Sequence, residues 1–298
     1  MSKGFFILLL ILALNSNYCW SQSNLRNAKG PQEVGIQEKE NSSPVAYGYV
    51  DDRDILWQKT IWEIINLNER INFPYYYPTI NNGFLSESRK SLFRVLYDNI
   101  KEGNITEIYS SSYFNDNEKL TFEDLGEKLM MRNLSPVGIE KSNAGEEVTD
   151  NDYNEFTIES YNIEQYLIKG TWYFDKRLGE LKYRLFGIAP VAPDVSTLSG
   201  SKKEQKDALV PLFWVWFPDA REALANNKVF NSKNSSQPIT FDHMLNSRRF
   251  NATIYKEENE YEDREVKEYI YEDALRQLLE SERIKSLIRD FEQDMWSN

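Results

Sequence analysis

His243 and Cys19 are the single histidine and the single cysteine of this 298-residue chain, which leaves few routes to nucleophilic or metal chemistry. A histidine-dependent triad needs a carboxylate to orient the imidazole and a nucleophile held on a sharp turn. The carboxylate close by in sequence is the neighbouring Asp242, and adjacent residues on a helix point about 100° apart. No Gly-x-Ser-x-Gly occurs either, so His243 is expected in the first turn of a helix capped by Thr240. Closed zinc sites of the Cys₄, Cys₂His₂ or His₃ kind are excluded by count. Asp150-Asn151-Asp152-Tyr153-Asn154 opens like a calcium loop. It then fails at Glu155, where the turn needs Gly, and at Tyr161, where the bidentate Glu belongs. With 47 acidic residues, accidental carboxylate pairs are plentiful, and no spacing singles out a glycosidase pair. No catalytic, metal-binding or cofactor-binding residue is assigned.

Aromatic residues are the stronger signal. Leu212-Phe213-Trp214-Val215-Trp216-Phe217-Pro218 is a continuous apolar run. As a strand hidden on both faces it belongs to the core. As a partly exposed edge it offers Trp214, Trp216 and Phe217 to a partner, since aromatics dominate binding hot spots. Burial is the favoured reading. Tyr75-Tyr76-Tyr77 sits between two prolines and has the same two readings. Arg248-Arg249 can face an acidic partner or, preferably, the acidic 257–272 segment of the same chain. Trp214, Trp216, Phe217, Tyr75, Tyr76, Arg248 and Arg249 are therefore the candidate interface residues.

Composition narrows the partner class. Basic residues number 35, and the formal charge of −12 argues against wrapping a nucleic acid. The 13 glycines form no phosphate-cradling motif. Seven Trp, 18 Tyr and 16 Phe can fill a sizeable core, and the length suggests roughly two domains.

The start of the chain reads as an export signal. Lys3 precedes an apolar run over 5–14, about half the length of a membrane-spanning helix. Small residues at Cys19 and Ser21 fit a signal-peptidase site, so cleavage is expected after Ser21. Tyr18 before Cys19 argues against a lipoprotein signal. Loss of this segment would take the charge from −12 to −13 and leave no cysteine for a disulfide. No later run approaches about 18 apolar residues, so no membrane span is expected.

Residues 22–50 form a polar, flexible lead. Beyond it, Trp57, Ile61, Ile64 and Ile65 recur at helical spacing behind a cap at Asp54. Residues 92–97 are a short apolar run, strand or helix. Thr121-Phe122-Glu123-Asp124 has capping-box form and opens a helix through Met131. The polar 135–154 stretch is the best inter-domain boundary. Residues 170–177 and 181–188 read as two strands around a turn at Leu178-Gly179, and 193–206 as a surface loop. Leu275, Leu278, Leu279, Ile284, Leu287, Ile288, Phe291 and Met295 mark one apolar stripe on a C-terminal helix.

Three echoes suggest an internal duplication: Leu92-Phe93-Arg94-Val95 with Leu212-Phe213-Trp214-Val215, Thr121-Phe122-Glu123 with Thr240-Phe241-Asp242, and 70–74 with 184–190. The expected fold is α+β. It comprises a signal peptide (1–21), a linker (22–50) and two related mixed α/β subdomains (51–150 and 151–298), the second ending in an amphipathic helix.

Longer strings carry a family resemblance. Gly170-Thr171-Trp172-Tyr173-Phe174-Asp175-Lys176-Arg177, the 212–219 run and Val229-Phe230-Asn231-Ser232-Lys233-Asn234 resemble the GldN (PorN) family. So do Pro238-Ile239-Thr240-Phe241-Asp242-His243, Arg248-Arg249-Phe250-Asn251-Ala252 and Leu278-Leu279-Glu280-Ser281-Glu282-Arg283-Ile284-Lys285. Residues 56–78 share the likeness, which spans nearly all of 51–296. It implies a periplasmic component of the type IX secretion and gliding machinery, associated with the inner face of the outer membrane. It further implies large rings formed with a GldK (PorK)-like lipoprotein, homo-oligomeric packing within the ring, and contact with a GldM (PorM)-like periplasmic domain. The resemblance brings no catalytic site and no cofactor. Two readings from other classes stand beside it: an exported carboxylate-dependent glycan hydrolase, and a glycan-binding module using exposed Trp and Tyr.

Overall fold

Ile55, Trp57, Thr60, Ile61, Trp62, Ile64 and Ile65 crowd β-branched and aromatic side chains into a segment that folds as a strand, β1 (Ile55–Asn66). The helix expected there is not formed. Ile61, Trp62 and Glu63 are buried in succession, as in a strand covered on both faces, so apolar positions with helical spacing are shared between two sides. The computed structural model describes residues 43–80, 89–198, 209–229 and 239–297. The expected signal peptide, residues 22–42 of the lead and part of the 193–206 loop lie outside them.

β1 pairs antiparallel with β5 (Gln165–Asp175) on one side and β11 (Thr253–Glu257) on the other. β5 returns through a turn, in which Gly179 takes the left-handed φ of 66°, into β6 (Glu180–Pro193), as the strand pattern required. β6 pairs with β7 (Leu209–Pro211) and β8 (Trp214–Trp216), and β8 with β2 (Ile108–Tyr109), completing a seven-stranded sheet. Two small antiparallel pairs stand apart: β3 (Met130–Leu134) with β4 (Tyr153–Thr157), and β9 (Lys228–Val229) with β10 (Ile239–Thr240).

Short polar side chains cap several of the helices at their starts. Ser91 caps α1 (Leu92–Lys101), which settles the 92–97 run as helix. Thr121 and Asp124 form the expected capping box of α2 (Phe122–Leu129). Ser135 caps α3 (Pro136–Ala144). Pro218 stands in the first turn of α4 (Phe217–Asn226), and Thr240 caps α5 (Phe241–Asn246) by accepting the His243 N–H. The chain closes with α6 (Ala274–Ser297).

Side chains alternate across β1, so Ile61, Glu63 and Ile65 share one face and Trp62 points to the other. Beneath the first face, α1, α4 and α5 pack around Ile65, Tyr166, Ile168, Ile188 and Val215. Further along, α6 covers Ile61 and Ile254 with Ile284 and Ile288, and Phe291 stacks on Trp57 at 4.6 Å. The second face carries Trp62, Tyr109, Ala189 and Trp214.

The fold is α+β, and it revises several finer expectations. β1, from before residue 150, lies between β5 and β11 from after it, so both sequence halves build one sheet. The polar 135–154 stretch carries α3 and joins two paired strands, placing it inside a local unit. Two of the three echoes differ in conformation. Leu92–Val95 is helical while Trp214 and Val215 lie in β8, and 70–74 begins in a 3₁₀ turn while 184–190 runs within β6. The C-terminal helix has two apolar sides rather than one. Ile284, Ile288 and Phe291 face the sheet, whereas Leu275 and Leu279, 67% and 60% exposed, project away at the other end. Residues 43–50 of the expected linker lie against the body, held by contacts from Arg177, Arg184, Arg221 and Asp242.

Candidate interaction surface

The second sheet face carries an open aromatic cleft of about 510 Å³, lined by Trp62, Tyr113, Phe114, Phe186, Trp216 and polar neighbours. Strand alternation supplies its floor, because Trp62 and Lys169 are partners across β1 and β5, as are Thr60 and Thr171. The two threonine hydroxyls bond each other at 2.9 Å. The loop after β2 brings Tyr113 and Phe114 over this floor, with Phe114 in the left-handed region at φ 55°. Phe114 meets Trp216 edge-on at 4.9 Å and Tyr109 at 5.3 Å, and Phe186 stacks on Trp216 at 5.6 Å. Gly187 makes this possible: a Cβ there would lie 2.4 Å from Phe114 Cζ.

Lys169 lines the cleft, and Lys256 approaches two of its rings. Lys169 Nζ lies 4.8 Å from the Trp62 ring and 5.0 Å from the Tyr113 ring, and donates to the Ser112 carbonyl at 2.9 Å. Lys256 Nζ reaches the same two rings at the same distances and donates to the Tyr113 hydroxyl at 2.8 Å. That hydroxyl donates onward to Asp263 at 3.1 Å. Burial holds the Lys169 ammonium below the usual lysine range and neighbouring Lys256 adds to this, against the pull of Asp263. The chemistry available is stacking, cation–π attraction and hydrogen bonding with both signs of charge at the rim.

The interface candidates separate into different surroundings. Trp214 is 3% exposed in the cluster with Trp62, and Phe217 and Tyr75 are fully buried in the main core. Tyr75 packs on Phe241 and Phe250, which removes it from any partner. Tyr76 is half-buried, its hydroxyl donating to the Tyr161 carbonyl. Trp216 alone of the seven reaches the aromatic cleft, half-exposed at its edge. Arg248 does not meet the acidic 257–272 segment. Its guanidinium grips Glu63 beneath the opposite sheet face, because its left-handed backbone (φ 50°) turns it inward, while Arg249 is exposed.

Trp62, Lys169, Tyr113, Phe114, Phe186 and Lys256 escaped sequence reading. Once β1 is read as a strand, alternation finds Trp62, but nothing local pairs it with Lys169 or with the loop. The expected calcium failure holds a structural role instead: Asp152 accepts from Lys141 and from Thr149. Among the described residues, no cluster of His, Cys, Asp and Glu could hold a metal ion, and no helix is long and apolar enough to cross a membrane.

The seven-stranded antiparallel sheet is backed by helices on one face and carries the aromatic cleft on the other, an α+β body. The model for the family "Gliding motility associated protein GldN" matches residues 50–297, and the chain belongs to that family. It is thereby a component of the gliding motility and type IX secretion machinery, a structural family and not a known enzyme family. No curated protein matches the chain.

Proposed function

We propose that this chain is a non-enzymatic scaffold of the type IX secretion and gliding machine, acting in the periplasm at the inner face of the outer membrane. In this reading it builds a ring with a GldK/PorK-like lipoprotein, packs against copies of itself within that ring, and contacts a GldM/PorM-like periplasmic domain. Family membership supports the setting. The observation that carries a partner-binding role is the cleft in which half-exposed Trp216 and Phe114 lie beside exposed Tyr113. Rigid aromatics with a polar rim are the composition of interface hot spots.

Co-purification with the cell's GldK-like lipoprotein, followed by light scattering and electron microscopy, tests the reading. A large ring-shaped complex that Tyr113→Ala or Trp216→Ala weakens is the expected result. A chain that stays monomeric beside the lipoprotein in several detergents and salts would overturn it.

The cleft also favours a second reading. An aromatic floor with Thr60, Thr171, Glu258 and Asp263 around it suits a sugar ring, so a glycan-binding module is the alternative. Oligosaccharide titration, together with turnover assays on glycans for the hydrolase variant of that reading, separates them. Saturable turnover abolished by one Asp or Glu substitution would sink the scaffold.

A further inference from the structure

Residues 45–49 lie on the body yet belong to none of its cores. Of these five, only Tyr47 is half-buried, whereas Val45 and Tyr49 are 38% and 76% exposed. The body reads this segment almost entirely through its main chain. The Val45 N–H donates to Asp242 at 2.7 Å, and Arg221 donates to the Val45 carbonyl. Arg184 donates to the Gly48 carbonyl at 3.3 Å and Arg177 to the Tyr49 carbonyl at 2.9 Å. The side chain that is read is Tyr47, whose ring lies 3.7 Å from the Arg221 guanidinium carbon and 4.4 Å from that of Arg184. Its hydroxyl donates to Asn246.

The receiving groups are held in place by one another. Asp242 is fully buried and accepts from Arg221 Nε at 2.9 Å and from Asn246 at 2.9 Å. Asn246 also donates to the Asp242 carbonyl at 2.8 Å, one helical turn back on α5. Removal of the 45–49 segment would therefore leave a carboxylate still paired and a guanidinium still oriented. A site that keeps its form without its occupant can accept an identical segment from elsewhere, and exchange of identical elements is a low-cost route to assembly.

We infer that Asp242, Arg221 and Arg184 form a receptor for a short peptide segment recognised by its main chain and one tyrosine, and that in assemblies of this chain the receptor takes residues 45–49 of a second copy. The reach is short. Val45 to Asp51 spans at most roughly 20 Å, so exchange is confined to copies in direct contact. The inference rests on the self-packing proposed above and depends on neither the lipoprotein nor the motor contacts.

The test uses the intact chain with p-benzoylphenylalanine in place of Tyr49, whose exposed side chain takes no part in the receptor. Nitrogen-15-labelled and unlabelled chains are mixed, irradiated and analysed by mass spectrometry, alone at high concentration and together with the lipoprotein. Cross-links from position 49 to the body that join heavy with light chains are expected, approaching about half of the total for full exchange of equal populations. Arg221→Ala and Tyr47→Ala should deplete these mixed links several-fold. Cross-links confined to chains of one isotope under both conditions would overturn the inference. A lipoprotein complex that forms normally yet shows only such links would leave the scaffold reading standing. Mixed links in a chain that ignores the lipoprotein would do the reverse.

Discussion

Arg248 forks onto Glu63 beneath the sheet, its two terminal nitrogens lying 2.9 and 2.7 Å from the two carboxylate oxygens. Glu63 is 1% exposed, and the guanidinium lies 4.2 Å from the centre of the Tyr183 ring. The ring sits there because Gly170 has no Cβ, which would meet the Tyr183 hydroxyl at 2.2 Å. The pair ties the loop after α5 to β1, the strand next to the β11 edge of the sheet.

Removing one partner of such a pair leaves an uncompensated buried charge. Arg248→Ala is expected to destabilise the chain by about 3 kcal/mol, the lower end for buried pairs because the arginine is partly solvated. Adding Glu63→Gln should recover part of the loss. Urea denaturation midpoints of the two variants check this, and equal midpoints would remove the proposed role of the stranded carboxylate.

Trp214 and Trp216 are two residues apart in one short strand, yet their surroundings differ. Trp214→Ala should cost about 3 to 5 kcal/mol, the price of emptying a buried aromatic site. Trp216→Ala should shift the melting point much less while weakening capture of the lipoprotein. Calorimetry on both variants beside a co-purification assay measures the contrast.

Gly187→Ala should disturb the cleft from below. The new methyl has no room beneath Phe114, and forcing a side chain off its seat costs about 1 to 3 kcal/mol. Tryptophan fluorescence should report the change at Trp214 and Trp216, and Phe114→Leu in the same chain should relieve it. An unchanged spectrum and melting point would mean that Phe114 moves freely.

The loop around α3 should loosen in acid. Hydrogen bonds from Lys141 and then from Thr149 hold the Asp152 carboxyl down from an ordinary 3.8 to about 2. Because the folded pKa is depressed, this stabilisation is whole above the unfolded value and is lost as pH falls through about 2. Protection of the β3 and β4 amides, measured against the intrinsic exchange rate at each pH, should therefore fall from near pH 4 downward. Asp152→Asn should flatten that dependence.

Local chemistry made much of the chain legible in its sequence. Thr121 and Thr240 announce helix starts because their hydroxyls accept main-chain N–H groups three residues on, a contact that needs no distant partner. The β5–β6 hairpin was equally visible, since its strand pattern and the glycine at 179 lie within one short stretch. Single His243 and Cys19 determined by themselves that histidine and cysteine chemistry would be sparse. Long strings such as Gly170-Thr171-Trp172-Tyr173-Phe174-Asp175 sufficed for the family.

Tertiary structure alone decided the rest. β1 became a strand because β5 and β11 pair along both its edges, while its own apolar spacing fitted a helix. The leucines of α6 separated into covered and uncovered sides according to where the sheet ends, which periodicity cannot show. Arg248 met Glu63, 185 residues away, and the cleft gathered Trp62, Tyr113, Lys169 and Trp216 from four distant segments. Such contacts are set by the closure of long loops around a shared sheet, and neighbouring residues carry no trace of which distant partner will arrive.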